Sequence, residues 1–406
     1  MKNIAIQFFA SLVAVAAGIA IPASALDFPA SGQTTSYTAN KNDGITAAVS
    51  VPDDGAVQAG STLSFTDNGD GTITDDNTGL MWEKKGDNGG LHDKDNGYYW
   101  SGTGSVFQET IWDWLEDVNA EGGTGFAGYA DWRIPNAKEL QTLVDYESGA
   151  PMISAAFNNN CVSGITVLTG SCNPITGYWT STTWARSTGM AWGVNFNEGL
   201  LFPYDKSSAP RVRAVRGRSN LPASGQTTAY KADKNDGIAG AVAVPDDGTV
   251  RAGSPLSYTD NGDGTITDNV TGLVWEKKGD NGNRHDKDNI YWWSGNGAEE
   301  TVWDWLEDVN GEGLGGYGDW RIPNVRELLS IEDFQNQWAV PAAFLNNCVP
   351  GVSALTGSCT FQSIYWTSTT RKAAPSTAWY VDNYGALGTS FKSSTARARA
   401  VRGGTL

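Results

Sequence analysis

The chain has 406 residues, and 45 acidic against 28 basic side chains give it a formal net charge of −17. Nucleic acids and anionic membranes attract proteins through a positive surface, so this balance argues against both as partners. Residues 26–406 are enough for two ordinary domains with buried cores.

The N-terminal residues have the pattern of a secretory signal peptide. Lys2 precedes an uncharged apolar stretch, Ile4–Ile21, and small residues follow at Ala23 and Ala25. A retained membrane anchor is the alternative, but the stretch is interrupted by polar residues and is barely long enough to span a bilayer. The sequence therefore predicts a signal peptide over residues 1–25 and an exported protein with no membrane span after cleavage, whether extracellular, on the cell surface or periplasmic.

The rest of the chain contains the same unit twice. PASGQTT occurs at 29–35 and again at 222–228, and the same series of motifs follows each occurrence. Solenoid repeats are about 20–50 residues long, so a repeat of this length indicates a duplicated domain. The predicted domains are residues 26–218 and 219–406.

Each copy has the pattern of a mixed α+β unit, described here for the first. An initial segment rich in Gly, Ala and Thr predicts short strands or an extended arm. Ile111–Asn119 has apolar residues at helical spacing, and a second helix begins at Asn136, where Glu139 completes a capping box. Later strands are predicted at 178–183, around Trp192 and at 210–216. We therefore expect an antiparallel sheet, two helices and one disulfide in each copy.

The four cysteines form two pairs with the same spacing, Cys161 with Cys172 and Cys348 with Cys359. Four cysteines allow three pairings, and the repeated spacing favours one bridge inside each copy. A zinc site needs closer Cys-x-x-Cys spacing or nearby histidines. Structural disulfides are therefore the better interpretation in an exported chain.

The stretch TDNGDGTITD, at 66–75 and 259–268, permits two interpretations. An EF-hand calcium loop needs an acidic first residue and a bidentate glutamate at position twelve, and neither is present. Strand alternation instead favours a hairpin whose loop has an odd number of residues, with Phe65 opposite Ile73 and both facing the core. We predict the hairpin, which leaves open whether calcium also binds there.

An acidic loop, GDNGGLHDKDN at 86–96, is a second candidate for calcium. Its carboxylates are the oxygen ligands that calcium prefers, and a solvated loop between a strand and a helix is the alternative. The candidate ligands are Asp87, Asp93 and Asp95 in the first copy and Asp280, Asp286 and Asp288 in the second.

Tryptophans at matched positions of the two copies could fill the core or stack on sugars. Trp82, Trp132 and Trp179 lie in periodic or strand patterns and are predicted to be buried, as is Trp112. Trp114, two positions from Trp112 on the predicted helix, faces another direction and is predicted to be partly exposed.

Several further motifs follow one another in fixed order in the first copy, with close counterparts in the second. They are FTDNGDGTITD, TGL-x-WEKK, HDKDN, GYADWRIPN-x-KEL, YWTSTT, AW-x-V and RVRAVRG. With these motifs, both copies resemble the Lcl C-terminal domain family, named for a Legionella collagen-like protein. The resemblance implies a C-type-lectin-like fold and an exported bacterial protein with a binding or adhesive role. The family often has a cysteine in its closing strand where this chain has Ala214 and Ala400.

These observations favour a non-enzymatic binding protein or adhesin that recognises an extracellular or cell-surface ligand, with carbohydrate as a candidate. The chain has two histidines and no Gly-x-Ser-x-Gly element, and paired cysteines leave no free thiol for catalysis. A structural or self-assembling protein of the envelope or extracellular matrix is the alternative, and a hydrolase comes third.

The copies differ most after YWTSTT, at 184–205 and 371–391. Surface loops can differ at little cost in stability, so these segments are predicted to present the ligand-binding surface. Neutral drift in loops that touch nothing is the alternative. The candidate ligand-binding residues are Trp184, Arg186, Asn195 and Asn197 in the first copy and Arg371, Lys372, Tyr380, Asp382 and Asn383 in the second.

Overall fold

The structure is a computed structural model that describes residues 28–45, 47–103, 108–235 and 240–404. The predicted signal peptide, residues 1–25, lies outside the described residues. Within these ranges, no helix combines the length and the hydropathy needed to cross a membrane.

The first copy consists of short strands and helices. Its strands are β1 (Thr38–Ala39), β2 (Val49–Ser50), β3 (Phe65–Asp67), β4 (Thr72–Asp75), β5 (Met81–Glu83), β6 (Gly177–Thr183), β7 (Met190–Asn195), β8 (Leu200–Asp205) and β9 (Val215–Arg216). Its α-helices are α1 (Asp54–Val57), α2 (Ile111–Ala120) and α3 (Ala137–Gln141).

The second copy repeats this order with two added strands, β15 and β19, which pair with each other. Its strands are β10 (Lys231–Ala232), β11 (Val242–Ala243), β12 (Tyr258–Asp260), β13 (Thr265–Asp268), β14 (Val274–Glu276), β15 (Tyr291–Trp292), β16 (Tyr365–Thr370), β17 (Thr377–Val381), β18 (Leu387–Phe391), β19 (Thr395–Ala396) and β20 (Val401–Arg402). Its α-helices are α4 (Asp247–Val250), α5 (Val302–Glu312) and α6 (Val325–Ser330).

Each copy is built around two antiparallel sheets. In the first copy, β3, β4 and β5 form a meander that β9 closes, while β6, β7 and β8 form a second sheet. The second copy has the equivalent sheets β12-β13-β14-β20 and β16-β17-β18. The α+β class is therefore confirmed. The predicted strand at 210–216 is shorter than expected, because only β9 pairs continuously there.

The predicted hairpin is present, but its register differs from the prediction by two residues. Asp67 lies opposite Ile73 and Phe65 lies opposite Asp75, with an odd turn at residues 69–71. The turn lies later than expected because Asp and Asn side chains bond to the backbone and hydroxyls inside it. Phe65 and Ile73 still share one face, since their positions differ by an even number.

The predicted helix caps are confirmed, but one helical side chain is more buried than expected. Asn136 and Glu139 form the capping box of α3. Trp114 on α2 is 0 % exposed, so the prediction of partial exposure is wrong. The loop over residues 86–96 folds across this side of the helix, where the Trp114 indole N–H donates to the Leu91 carbonyl at 3.2 Å. Two faces of α2 are therefore covered.

The two predicted disulfides are confirmed. Cys161 bonds to Cys172 and Cys348 bonds to Cys359, so each copy contains its own bridge. Each bridge closes a short loop between the 3₁₀ turn that follows α3 or α6 and the first strand of the second sheet, β6 or β16.

Two long loops cross between the copies. Clasp 1, Pro29–Ser61, and clasp 2, Pro222–Ser254, are each closed at the base by a parallel bridge between their end residues. The Thr369 hydroxyl in the second copy donates to Asp54 of clasp 1 at 2.6 Å. The Thr182 hydroxyl in the first copy donates to Asp247 of clasp 2 at the same distance. Each clasp thus docks on the opposite copy, and the exchange is reciprocal.

A buried cation from each copy reinforces the junction. The Lys138 ammonium donates to the carbonyls of Ala223 at 2.9 Å and Ser330 at 2.7 Å. The equivalent Arg326 guanidinium donates to the Thr142 carbonyl at 2.7 Å and to the carbonyl of Ala30. Buried cations are tolerated only when such partners are present. The copies consequently share one continuous core across this junction.

Removing the carboxyl group that anchors a clasp should destabilise the whole protein. We expect Asp54→Ala to lower the free energy of unfolding by about 1–3 kcal/mol, because the buried Thr369 hydroxyl loses its acceptor. Urea denaturation followed by tryptophan fluorescence would measure the change. Ser50→Ala, at an exposed position of the same clasp, serves as the control. Equal stabilities of the two variants would contradict the role of Asp54.

Candidate functional site

The two variable segments face each other across the junction of the copies. Residues 184–205 include β7 and β8, and residues 371–391 include β17 and β18. Strand β8 of the first copy packs against β18 of the second. Some of the predicted ligand-binding residues therefore lie close together, although they come from different copies.

Two of the predicted residues contact aromatic rings of the other copy. The Trp184 ring packs edge-on to Tyr384, with 6.5 Å between ring centroids. The Arg186 guanidinium lies 4.5 Å from the centre of the Tyr384 ring and 5.5 Å from that of Trp338. Tyr384 and Trp338 are themselves stacked at 5.3 Å. Arg186 is exposed, so this stack forms an accessible edge of the junction.

Two further predicted residues form ion pairs across the junction. Arg371 lies 3.4 Å from the carboxylate of Glu198, and Lys372 lies 2.6 Å from that of Glu147. Together with backbone and hydroxyl donors, Lys372 outweighs burial and lowers the pKa of Glu147 to about 2. Exposed ion pairs contribute little to stability, so these side chains remain available for other partners.

A groove of about 370 Å³ lies where β8 meets β18. We call it the junction groove. Phe202 enters it from the first copy and Tyr380 from the second, and both rings are half-buried. Gly388 lies beneath Tyr380, where a Cβ atom would come within 2.4 Å of the phenol ring. The remaining lining residues are Glu198, Leu200, Arg371, Leu387 and Thr389.

The other predicted ligand-binding residues lie at the turns between β7 and β8 in the first copy and between β17 and β18 in the second. The Asn195 side chain accepts a hydrogen bond from the Asn197 N–H at 2.9 Å, which fixes the turn of the first copy. In the second copy, Asp382 and Asn383 line a separate pocket beneath β17. The structure thus divides the predicted residues between the junction, a turn and this pocket.

The six candidate calcium ligands form two groups of three, with one carboxylate oxygen of each residue within 4.8 Å of the others in its group. In the first copy, the Lys94 ammonium lies 3.4 Å from Asp87 and 2.5 Å from Asp95, while Asp93 accepts the Gly89 N–H at 2.6 Å. Asp280, Asp286 and Asp288 have the same arrangement around a lysine. Lysine and backbone groups thus satisfy these carboxylates, and calcium binding stays a prediction.

Both histidines belong to buried charge networks. In the first copy, Glu83 accepts hydrogen bonds from the Lys85 ammonium and from His92 Nδ1, each at 2.7 Å. The other ring nitrogen of His92 lies 3.0 Å from Glu121. Burial lowers the pKa of His92, but the hydrogen bond and the charge of Glu83 outweigh it, and the net direction is upward. His285 makes the same contacts in the second copy.

Several residues that shape the groove and the pocket were not predicted from the sequence. Phe202 and Glu198 lie in the variable segment of the first copy, but no sequence pattern distinguishes them from the other residues of that segment. Glu332 lies in the pocket and was missed because it precedes that segment. A comparison of the aligned copies position by position would have found it, since the first copy has Val144 there.

Taken together, the structure defines a class of protein in which a disulfide-containing α+β unit is duplicated and the two copies are joined by reciprocal loops. The chain belongs to the Lcl C-terminal domain family, whose model matches residues 71–216 and 264–402. The resemblance that the motifs indicated is thereby confirmed for both copies. A search of curated proteins found no match. Membership of this family and a disulfide in each copy indicate an extracellular binding or structural protein.

The buried network around Glu83 makes a prediction about acid stability. Burial raises the pKa of Glu83, but Lys85 and His92 outweigh it and bring the pKa from 4.5 to about 2. The stability that this group contributes is present above its unfolded pKa and is lost as the pH falls through the folded pKa. We expect Glu83→Gln to cost about 3–5 kcal/mol at pH 7, because it leaves buried cations without their counter-ion, and to reduce the loss of stability between pH 5 and 2.

Denaturant unfolding at a series of pH values would measure both effects. Asp117→Asn, an exposed carboxylate on α2, is the matched control and should leave the curve unchanged. A Glu83→Gln variant as stable as the parent at pH 7 would contradict the proposed network.

Proposed function

We propose that the protein is an exported, non-enzymatic binding protein that holds an extracellular ligand, with a glycan as the leading candidate, in the junction groove. One observation carries the proposal: the most divergent segments of the two copies meet there and supply its walls. Cores must match if both copies fold alike, whereas binding surfaces are free to diverge. The ligand would therefore contact both copies at once.

The chemistry of the groove suits a polar ligand with an apolar face. The rings of Phe202 and Tyr380 offer flat surfaces on which a sugar ring can stack. Arg371 and Glu198 add a donor and an acceptor at the same place. A mostly apolar groove with a few converging polar groups is typical of small-ligand sites.

Two finer features belong to the same proposal. The family resemblance implies a C-type-lectin-like fold, and small antiparallel sheets with short helices around a disulfide loop are compatible with it. The pattern of residues 1–25 supports export. Disulfides form mainly in oxidising compartments, which supports the same conclusion.

The surroundings of the histidines support binding in preference to catalysis. A general base needs a ring nitrogen that is free to accept a proton from a nucleophile. Both nitrogens of His92 face glutamate carboxylates, as do both nitrogens of His285. A histidine-dependent hydrolase would require these networks to open.

Truncating the aromatic rings of the groove should weaken glycan binding. We expect Tyr380→Ala and Phe202→Ala each to reduce affinity about tenfold, because each removes one stacking surface. A glycan array probed with the full-length mature protein would identify a ligand, and titration calorimetry would give affinities and the number of sites per chain.

Tyr129→Ala is the matched control, because its ring is exposed and packs against Arg216 away from the groove. Binding that survives both groove substitutions would refute the groove as the site. A protein that binds no glycan but self-associates would favour the structural alternative, which sedimentation of the same sample would detect.

A further inference from the structure

A small pocket in the second copy is separate from the junction groove. It has a volume of about 30 Å³ and lies beneath β17, beside α6. Apolar side chains and hydrogen-bonding side chains both line it. The apolar residues include Leu328, Ile331, Val340 and Phe344, and the polar ones are Glu332, Thr360, Tyr365, Asp382, Asn383 and Arg399.

The carboxyl group of Glu332 is buried in this pocket. Glu332 is 8 % exposed, and its Oε2 atom finds no hydrogen-bond partner among the described residues. Burial raises the pKa of Glu332 well above its usual range; the charge of Lys138 opposes this rise and that of Asp382 adds to it. A buried polar atom without a partner is costly, and such atoms in folded proteins commonly mark a bound water, an ion or a functional role.

The three polar residues of the proposed site differ from their counterparts in the first copy. Glu332 corresponds to Val144, Asp382 to Asn195 and Asn383 to Phe196. The Phe196 ring is fully buried and packs edge-on to Tyr178, with 5.3 Å between centroids. In the second copy this ring is absent and two carboxyl groups are added. These three substitutions remove a large ring and introduce acceptors in the same region.

We propose that this pocket binds a primary alkylammonium group, with Glu332 and Asp382 as its counter-ions and Asn383 as an additional acceptor. The proposal is independent of the junction groove, since the two sites share no residue.

The size of the pocket fits this chemistry. A cavity needs roughly 10–15 Å³ to hold one water molecule, so about 30 Å³ accommodates an ammonium group and its first methylene. The alkyl stem would then extend past Val340, which is half-buried at the side of the pocket. Alkyl stems of amines pack favourably on apolar walls while the head group keeps its polar partners.

The cation already in the pocket does not replace the ligand. The Arg399 guanidinium lines the same space, but its N–H groups donate to the carbonyls of Glu276 at 2.6 Å and Cys359 at 3.0 Å. A further bond goes to the Thr360 hydroxyl at 2.9 Å. Because these bonds occupy the guanidinium, Arg399 leaves the Glu332 Oε2 atom open to the amine.

Direct binding of small amines to the full mature chain tests the proposal. The probes are n-butylamine, its uncharged isostere n-butanol, 1,4-diaminobutane and a short acetylated and amidated Gly-Lys-Gly peptide. Ligand-observed NMR and calorimetry should show one amine per chain and no binding of n-butanol. The diamine and the peptide distinguish a free amine from a lysine side chain as the natural source.

Two substitutions test whether the amine binds in this pocket. Glu332→Gln removes the counter-ion, and Asn383→Phe restores the residue that fills this space in the first copy; each should weaken amine binding about tenfold. Asp308→Asn, an exposed carboxylate of the same copy, should bind as the parent does. Circular dichroism confirms folding, and if one variant fails to fold the other decides. Absence of binding at millimolar amine, or equal binding by the parent and a folded pocket variant, would overturn the proposal.

Discussion

The structure depends on the reciprocal docking of the clasps. Asp54 and Asp247 are buried carboxyl groups that each accept a hydroxyl hydrogen bond from the opposite copy. Because each clasp completes a surface that its own copy does not cover, neither half of the chain buries its apolar residues alone. The shared core, the packing of β8 against β18 and hence the junction groove all follow from this exchange.

The two copies are alike in their buried charge networks and differ where they meet. The network of Glu83, with a lysine and a histidine, recurs around Glu276 with closely similar distances. At the junction the copies complement each other instead. Gly193 on β7 lies opposite Phe202 on β8 in the first copy, and at the equivalent positions of the second copy Tyr380 lies opposite Gly388. The aromatic residue is therefore on a different strand in each copy, so the two sides of the junction are not symmetric.

The sequence predicted those features that are encoded locally. Cysteine spacing, the capping box at Asn136 and the hairpin all depend on residues close together in the chain, and the structure contains them. The burial of Trp114 was missed because a loop with no periodic pattern covers the helix. The crossing of the clasps was missed for a related reason: the bond between Gln33 and Thr370 joins residues 337 positions apart, and no local propensity records such a contact.

The path of the clasps has a consequence for the order in which the chain folds as it leaves the ribosome. Clasp 2 follows the first copy directly, so residues up to about 255 already contain both the first copy and the clasp that docks on it. Clasp 1 can dock only after β16 of the second copy has been synthesised. It therefore emerges before clasp 2 but docks after it. Closing so long a loop costs entropy before its contacts form. Clasp 1 therefore stays accessible to chaperones, proteases and neighbouring chains until β16 has been synthesised, long after the clasp itself.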